Sequence, residues 1–224
     1  MLTELKTTLK SLAQDYKVTQ YDLFGVSSED QSACSLNKEP FQASASQKTS
    51  VTLRVWSDAN HVGLASTSHT SKVGIEKAFK LAYEASKLLQ NDPIELSPES
   101  LKTIESNNKK NTSLSPLSDL MTALIKAETV LLEDKNIKTV DNEIVENNST
   151  RFYLSSQGAE RVEEKSMAYC YLYPLSEREG SKTRQAGESD FASKFQDLNV
   201  SDVMQKAHEK LNSYLTYKSV SQGT

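Results

Sequence analysis

Apolar and polar positions alternate most cleanly in the stretch that begins at residue 50. Val51, Leu53 and Val55 alternate with Thr52, Arg54 and Trp56. A period of two predicts a strand with one face toward a core and the other carrying a charge and an indole. A second strand over residues 61–68 follows the short polar connection Asp58, Ala59 and Asn60, so the pair reads as a hairpin. The period then changes. Ile75, Ala78, Phe79, Ala82, Tyr83 and Leu89 recur at the three-and-four spacing of a helix that buries one stripe on a sheet.

The same reading extends in both directions. Leu2, Leu5, Leu9, Leu12, Ala13 and Tyr16 mark an opening amphipathic helix, and residues 19–26 (TQYDLFGV) a buried strand. Residues 27–30 (SSED) supply a polar turn, residues 31–36 a more polar strand, and residues 37–40 (NKEP) another turn. Residues 91–115 hold two prolines and the run SNNKKNTS, too poor in apolar groups to offset the entropy of ordering. Pro116 then opens a broadly apolar helix carrying Leu117, Leu120, Leu124 and Leu131. Strands return from Ile137 in three segments, IKTVDNEIVENNS, TRFYLSSQGAERVEE and SMAYCYLYPLSE, with a hairpin turn at Ser156, Gln157 and Gly158. Met167, Tyr169, Tyr171 and Tyr173 fall on one face of the last segment, opposite Ala168, Cys170 and Leu172. A strand apolar on both faces belongs inside a sheet. Residues 182–195 predict a final strand and residues 200–215 a closing helix.

The expected fold class is therefore α+β, as two small lobes, each a mainly antiparallel sheet packed against helices. The expected division is residues 1–92, a linker at 93–114, a second domain at 115–218 and a flexible tail at 219–224. Composition fits modest domains. The chain has 224 residues, of which 37% are hydrophobic, and a mean hydropathy of -0.56. Against 26 Lys and Arg stand 30 Asp and Glu, a net charge of -4. No concentrated positive field is present to draw in nucleic acid. No apolar run is long enough to cross a membrane, and the N-terminus is not a secretory signal, so a cytoplasmic location is expected. Cys34 and Cys170 are expected as free, packed thiols.

Candidate chemistry is sparse. His208 and Glu209 begin a pair of the kind found on zinc helices, but one turn later stand Asn212 and Ser213 where a second histidine is required. His61 and His69 have no partner at ligand spacing. Nothing local marks either cysteine as a nucleophile, and no glycine-rich loop is available for phosphate. The acidic groups Glu160, Glu163, Glu164, Glu177 and Glu179 read as solvated faces, with a cation site as the alternative. Arg54, Trp56 and Tyr153 are the candidate contacts for a peptide or protein partner, because an aromatic on the open face of a hairpin can anchor one; packing is the competing reading of Trp56.

One resemblance is specific. FQASASQKTSVTLRVWSDANHVGLASTSHTSKVGIEKAFKLAYEASKL resembles the N-terminal module of the TldD/PmbA family, with its V-x-V hairpin, G-x-A-S-T-S strand and EKAxxLAxEAS helix in that order. Residues from KAETVLLEDKNIKTV to ESDFASKF resemble, more loosely, the family's middle region, nearer its PmbA (TldE) branch. The resemblance implies a subunit of a two-chain cytosolic zinc metallopeptidase that degrades unfolded peptides or trims peptide precursors. It places the zinc in a C-terminal domain of a TldD-type partner, on a helix with paired histidines around a glutamate. No such helix occurs in these residues, so the expectation is a chain with no catalytic residue, metal or cofactor of its own. Family members are about twice as long, which implies a truncated or separately encoded part, or a short relative. The expected partners are a TldD-like subunit or a second copy, and unfolded peptide. A stand-alone adaptor or regulator, under the family's gyrase-modulator label, is the alternative.

Overall fold

The computed structural model describes residues 2–56, 61–88, 113–177 and 182–215. In chain order the elements are α1 (Leu2–Asp15), β1 (Tyr21–Leu36), β2 (Glu39–Trp56), β3 (Val62–Thr67), α2 (Lys72–Leu88), α3 (Leu117–Leu131), β4 (Ile137–Ser155), β5 (Glu160–Ser176), β6 (Arg184–Gln185), β7 (Glu188–Ala192), a 3-10 turn (Phe195–Asp197) and α4 (Val200–Leu215). The strands form a sheet in the order β3-β2-β1-β4-β5-β6, with β7 also paired to β5. The fold is α+β.

Several strands run longer than the sequence pattern indicates. The turn expected at residues 27–30 does not form, and β1 continues through it to Leu36. A two-residue hairpin turn needs positive φ at its central residues, which Gly and Asn adopt most readily, and this stretch has neither. Its polar groups bond across the sheet: the Ser27 and Thr49 hydroxyls lie 2.9 Å apart and the Asn147 amide donates to Asp30. The next turn does form, but with only Asn37 and Lys38, at φ 54° and 67°. Two residues of positive φ make the hairpin turn whose twist suits antiparallel strands, so Glu39 and Pro40 enter β2. The Glu128 carboxylate, fully buried, accepts from the backbone N–H groups of Asn37 at 2.8 Å and Lys38 at 3.1 Å. The segments expected as separate strands around residues 137–155 are one strand, β4. The last expected strand is broken into β6 and β7.

The hairpin of β2 and β3 holds in the register Val51↔Thr67 to Trp56↔Val62; its expected connection, residues 58–60, lies outside the described residues. So do Leu89, most of the expected linker and the expected tail. Gly63 in β3 has a packing reason. A Cβ there would come within 1.9 Å of the Ala82 carbonyl oxygen and 2.4 Å of the Ser86 nitrogen, so only glycine lets the strand lie this close to α2. Gly158, at φ 90°, makes the turn between β4 and β5.

Packing divides the chain into two compact units. The first comprises Met1–Ser28, Gln47–Asn111 and Ser149–Lys165; the second comprises Glu29–Ser46, Thr112–Asn148 and Ser166–Thr224. Strands β1, β2, β4 and β5 each give residues to both. In the first unit, α1 (Leu5, Leu9, Leu12) and α2 (Ile75, Phe79, Ala82) bury their apolar stripes against Leu23, Val51, Leu53, Val55, Phe152 and Leu154. In the second, α3 (Leu120, Leu124, Leu131) and α4 (Val203, Ala207, Leu211) do the same against Ala33, Val140, Ile144, Cys170 and Leu172. Each fully buried Leu, Ile or Phe contributes roughly 1.5–3 kcal/mol of transfer free energy.

Candidate functional site

Arg54 and Tyr153 meet on one acceptor. From β2, Arg54 donates through Nε to Asp22 Oδ1 at 2.9 Å and through its terminal nitrogen to Asp22 Oδ2. From β4, the Tyr153 hydroxyl donates to Asp22 Oδ2 at 2.9 Å. The guanidinium also stands 5.2 Å from the centre of the Trp56 ring. The three residues singled out in the sequence are thus neighbours. Trp56, however, is only 3% exposed and Asp22 2%, so the indole is packed rather than displayed; Arg54, with 42% of its side chain exposed, reaches solvent, and Tyr153 is partly exposed.

Asp22 was not a candidate from the sequence, although a carboxylate inside the apolar run YDLF is a visible signal of a buried partner. Its charge and the burial of the phenol, with burial the larger cause, push the Tyr153 hydroxyl up to about 12, while Arg54 acts in the opposite direction. The hydrogen bond to Asp22 is the main reason that the Arg54 guanidinium holds its proton more tightly than usual. A phenol held protonated and a carboxylate occupied by donors from both sides form a cross-strand clamp, not an acid–base pair.

A second group of side chains lies open. Ala168, Cys170 and Leu172 of β5 enter the core, so the intervening Tyr169, Tyr171 and Tyr173 point away from it. Phe191 of β7 stands opposite Tyr169 in register and Ser189 opposite Tyr171. Together with Asp141 of β4 and Gln185 of β6 these residues line an open cleft of about 530 Å³. Ring centres are 5.9 Å apart for Tyr169 and Phe191 and 5.8 Å for Tyr171 and Tyr173. The Tyr171 hydroxyl is pushed up to about 12, first by burial and then by the charges of Asp141 and Glu143. The Tyr169 hydroxyl is raised by burial and by Glu143, to which it is also hydrogen-bonded.

A third feature is backbone. Strand β3 pairs only with Val51–Trp56, so on the side away from β1 the preceding residues of β2, from Glu39 to Ser50, carry no partner strand among the described residues. Nearly all of these residues are exposed, and Phe41 is 65% exposed.

The other candidates are tied into the structure. His208 Nε2 lies 2.9 Å from Asp134 Oδ2 and 3.2 Å from the Asn212 amide nitrogen. Burial pushes the Cys170 thiol up to about 11 and is the main cause of the raised Cys34 thiol, which makes both weak nucleophiles near neutrality. Glu160 is paired with Lys6 at 2.9 Å, and Glu163 with Lys165 at 3.0 Å and Arg151 at 3.8 Å. Glu146, 3% exposed, accepts from the Ser115 N–H at 2.8 Å, the Ser115 hydroxyl at 3.1 Å, the Gln31 amide at 3.0 Å and the Phe195 N–H at 3.1 Å.

Comparison with known proteins then bears on what these features serve. Residues 108–215 match the PmbA/TldA metallopeptidase central domain. That stretch, just under half of the chain, is similar to the central domain of the PmbA/TldD family. The fold of the chain is also that of solved structures at low identity. TldE from Thermococcus kodakarensis superposes with a TM-score of 0.76 at 20% identity, covering 92% of this chain and 47% of that one. A candidate modulator of a DNA gyrase from Thermotoga maritima gives 0.83 at 16%, covering 100% and 50%. A candidate modulator of DNA gyrase from Bacteroides thetaiotaomicron gives 0.76 at 17%, covering 94% and 51%. The chain thus spans about half the length of the solved structures it matches. The comparison with curated proteins returned no match.

The PmbA/TldD name raises the matter of a metal. Among the described residues, no three His, Cys, Asp or Glu side chains gather as a ligand set. Of the described donors, His208 with Asp134 beside it faces the Asn212 amide of its own helix, and burial raises both thiols, so neither arrangement is a zinc ligand set. Among the described residues no helix is long and apolar enough to cross a membrane.

Proposed function

We propose that this chain is a non-catalytic part of a PmbA/TldD-type metallopeptidase assembly in the cytoplasm, helping to hold unfolded peptides or peptide precursors while a TldD-type partner subunit supplies the zinc. The observation that supports this reading is the unpartnered edge of β2. An extended peptide adds to such an edge through main-chain hydrogen bonds, which do not depend on its side chains, and that suits unfolded substrates of varied sequence. Arg54, at the far end of the same strand, is the exposed charge that we assign to partner or peptide contact.

The purified chain alone is expected to show no chelator-sensitive peptidase activity. Mixed with a longer TldD-type subunit, it should co-elute in gel filtration and support chelator-sensitive cleavage of an unfolded peptide. Zinc-dependent cleavage by the chain alone overturns the assignment, and so does failure to associate with such a subunit. Stable capture of a protein outside this family by the chain would instead favour the adaptor reading. The edge itself is tested by Ala43→Lys with Ala45→Lys, since lysines on an edge strand discourage pairing; the double variant should fold normally and lose most peptide binding.

A further inference from the structure

The cleft over β5 and β7 has a chemistry distinct from that of the β2 edge. Its floor is aromatic, with Tyr169, Tyr171, Tyr173 and Phe191. Tyr173 is 39% and Phe191 67% exposed, far more than rings packed for stability alone. Its wall is acidic. Asp141 lines it, and both Asp141 and Glu143 are close enough to act on Tyr171. Among the described residues neither carboxylate is in an ion pair, whereas Glu188, on the same strand as Phe191, is held by Lys210 at 2.7 Å. No described residue lining the cleft carries positive charge.

We propose that this cleft binds the guanidinium or ammonium of an arginine or lysine side chain presented by a bound peptide. Aromatic faces attract a cation electrostatically, and carboxylates beside them reject a neutral or anionic group of the same shape. A flat guanidinium suits the site best, because it can stack on a tyrosine while donating to a carboxylate. The same molecule contains an internal precedent: Arg54 stacks on Trp56 and donates to Asp22. The cleft repeats the aromatic and acidic parts of that arrangement without the cation. Its preference for positive side chains goes beyond sequence-independent holding at β2, and it stands whether or not peptide adds there.

The test is ligand-observed NMR on the full chain with acetyl-Gly-Arg-Gly-amide and with its citrulline counterpart, which keeps the shape and removes the charge. The arginine peptide should bind saturably, and the citrulline peptide roughly three- to tenfold more weakly, the discrimination expected of an exposed cation on rings and carboxylates. Asp141→Asn with Glu143→Gln should abolish the discrimination, and Tyr171→Leu should reduce it while preserving apolar area. Thermal melting of each variant separates loss of the site from loss of the fold, and Ala43→Lys with Ala45→Lys, which blocks the β2 edge, should leave the discrimination unchanged. Equal binding of the two peptides, no saturable binding of either, or discrimination that survives the double carboxylate change would overturn the proposal.

Discussion

The two units carry the same kinds of residue in opposite conditions. In the first, a carboxylate, a guanidinium, a phenol and an indole close on one another around Asp22. In the second, carboxylates and phenols face a cleft with no cation among its described lining residues. The difference teaches what a polar group on a strand is for. Where every donor finds an acceptor within the chain, removing one member leaves the others desolvated and the fold suffers; where the partner is lacking, removal leaves the fold nearly untouched and only recognition changes.

This contrast can be broken most directly at Asp22. Asp22→Ala leaves a buried guanidinium edge and phenol without their acceptor and is expected to cost roughly 2–3 kcal/mol of stability, measured by urea unfolding, with the partial exposure of Arg54 keeping the loss from being larger. A loss below about 0.5 kcal/mol would show that the clamp is no more structural than the cleft. Sharper is a double-mutant cycle between Arg54→Met and Tyr153→Phe. Because both residues share one carboxylate, a coupling of about 0.5–1.5 kcal/mol is expected, and additivity would mean that they act separately.

Alkaline titration reads both regions at once. Tyr153 and Tyr171 are each pushed up to about 12 from an ordinary value near 10. Because the folded value is the higher one, the associated stability is fully present below about pH 10 and is lost as pH climbs through about 12. Phenolate absorbance should therefore show late-ionising tyrosines in the native protein. Asp141→Asn with Glu143→Gln should bring Tyr171 down while leaving Tyr153 late, and movement of both would refute their separate causes. The smallest effect is the stability change in that same double variant, expected within about 0.5 kcal/mol of zero.

Helices and the hairpin core were legible because one stripe of each meets a core and the other meets water. Leu5, Leu9 and Leu12, or Val51, Leu53 and Val55, state their periods plainly. The long strands were not legible in full. Residues 27–30 look like a turn by composition, but Ser27 and Asp30 bond sideways to Thr49 and Asn147, and cross-strand partners cannot be read from a local window. Residues 39–50 show no alternation because almost all are exposed. The candidate contacts Arg54, Trp56 and Tyr153 were found by residue type, and the structure brings them together; Asp22, the residue that joins them, needed the strand order. The tyrosine row was visible too. Its direction was not, since a strand flanked on both sides can turn either face to the core.

Strands β1, β4 and β5 each give residues to both cores. An early stop between Leu88 and Phe152 would therefore strip Phe152 and Leu154 from beneath α1 and α2 although every described residue of those helices remained. Neither half can be excised as a continuous piece of polypeptide with its own interior intact. Assembly must await distant stretches of chain, which favours slow maturation, and damage at one end is expected to be felt at the other as lost cooperativity rather than as a local wound.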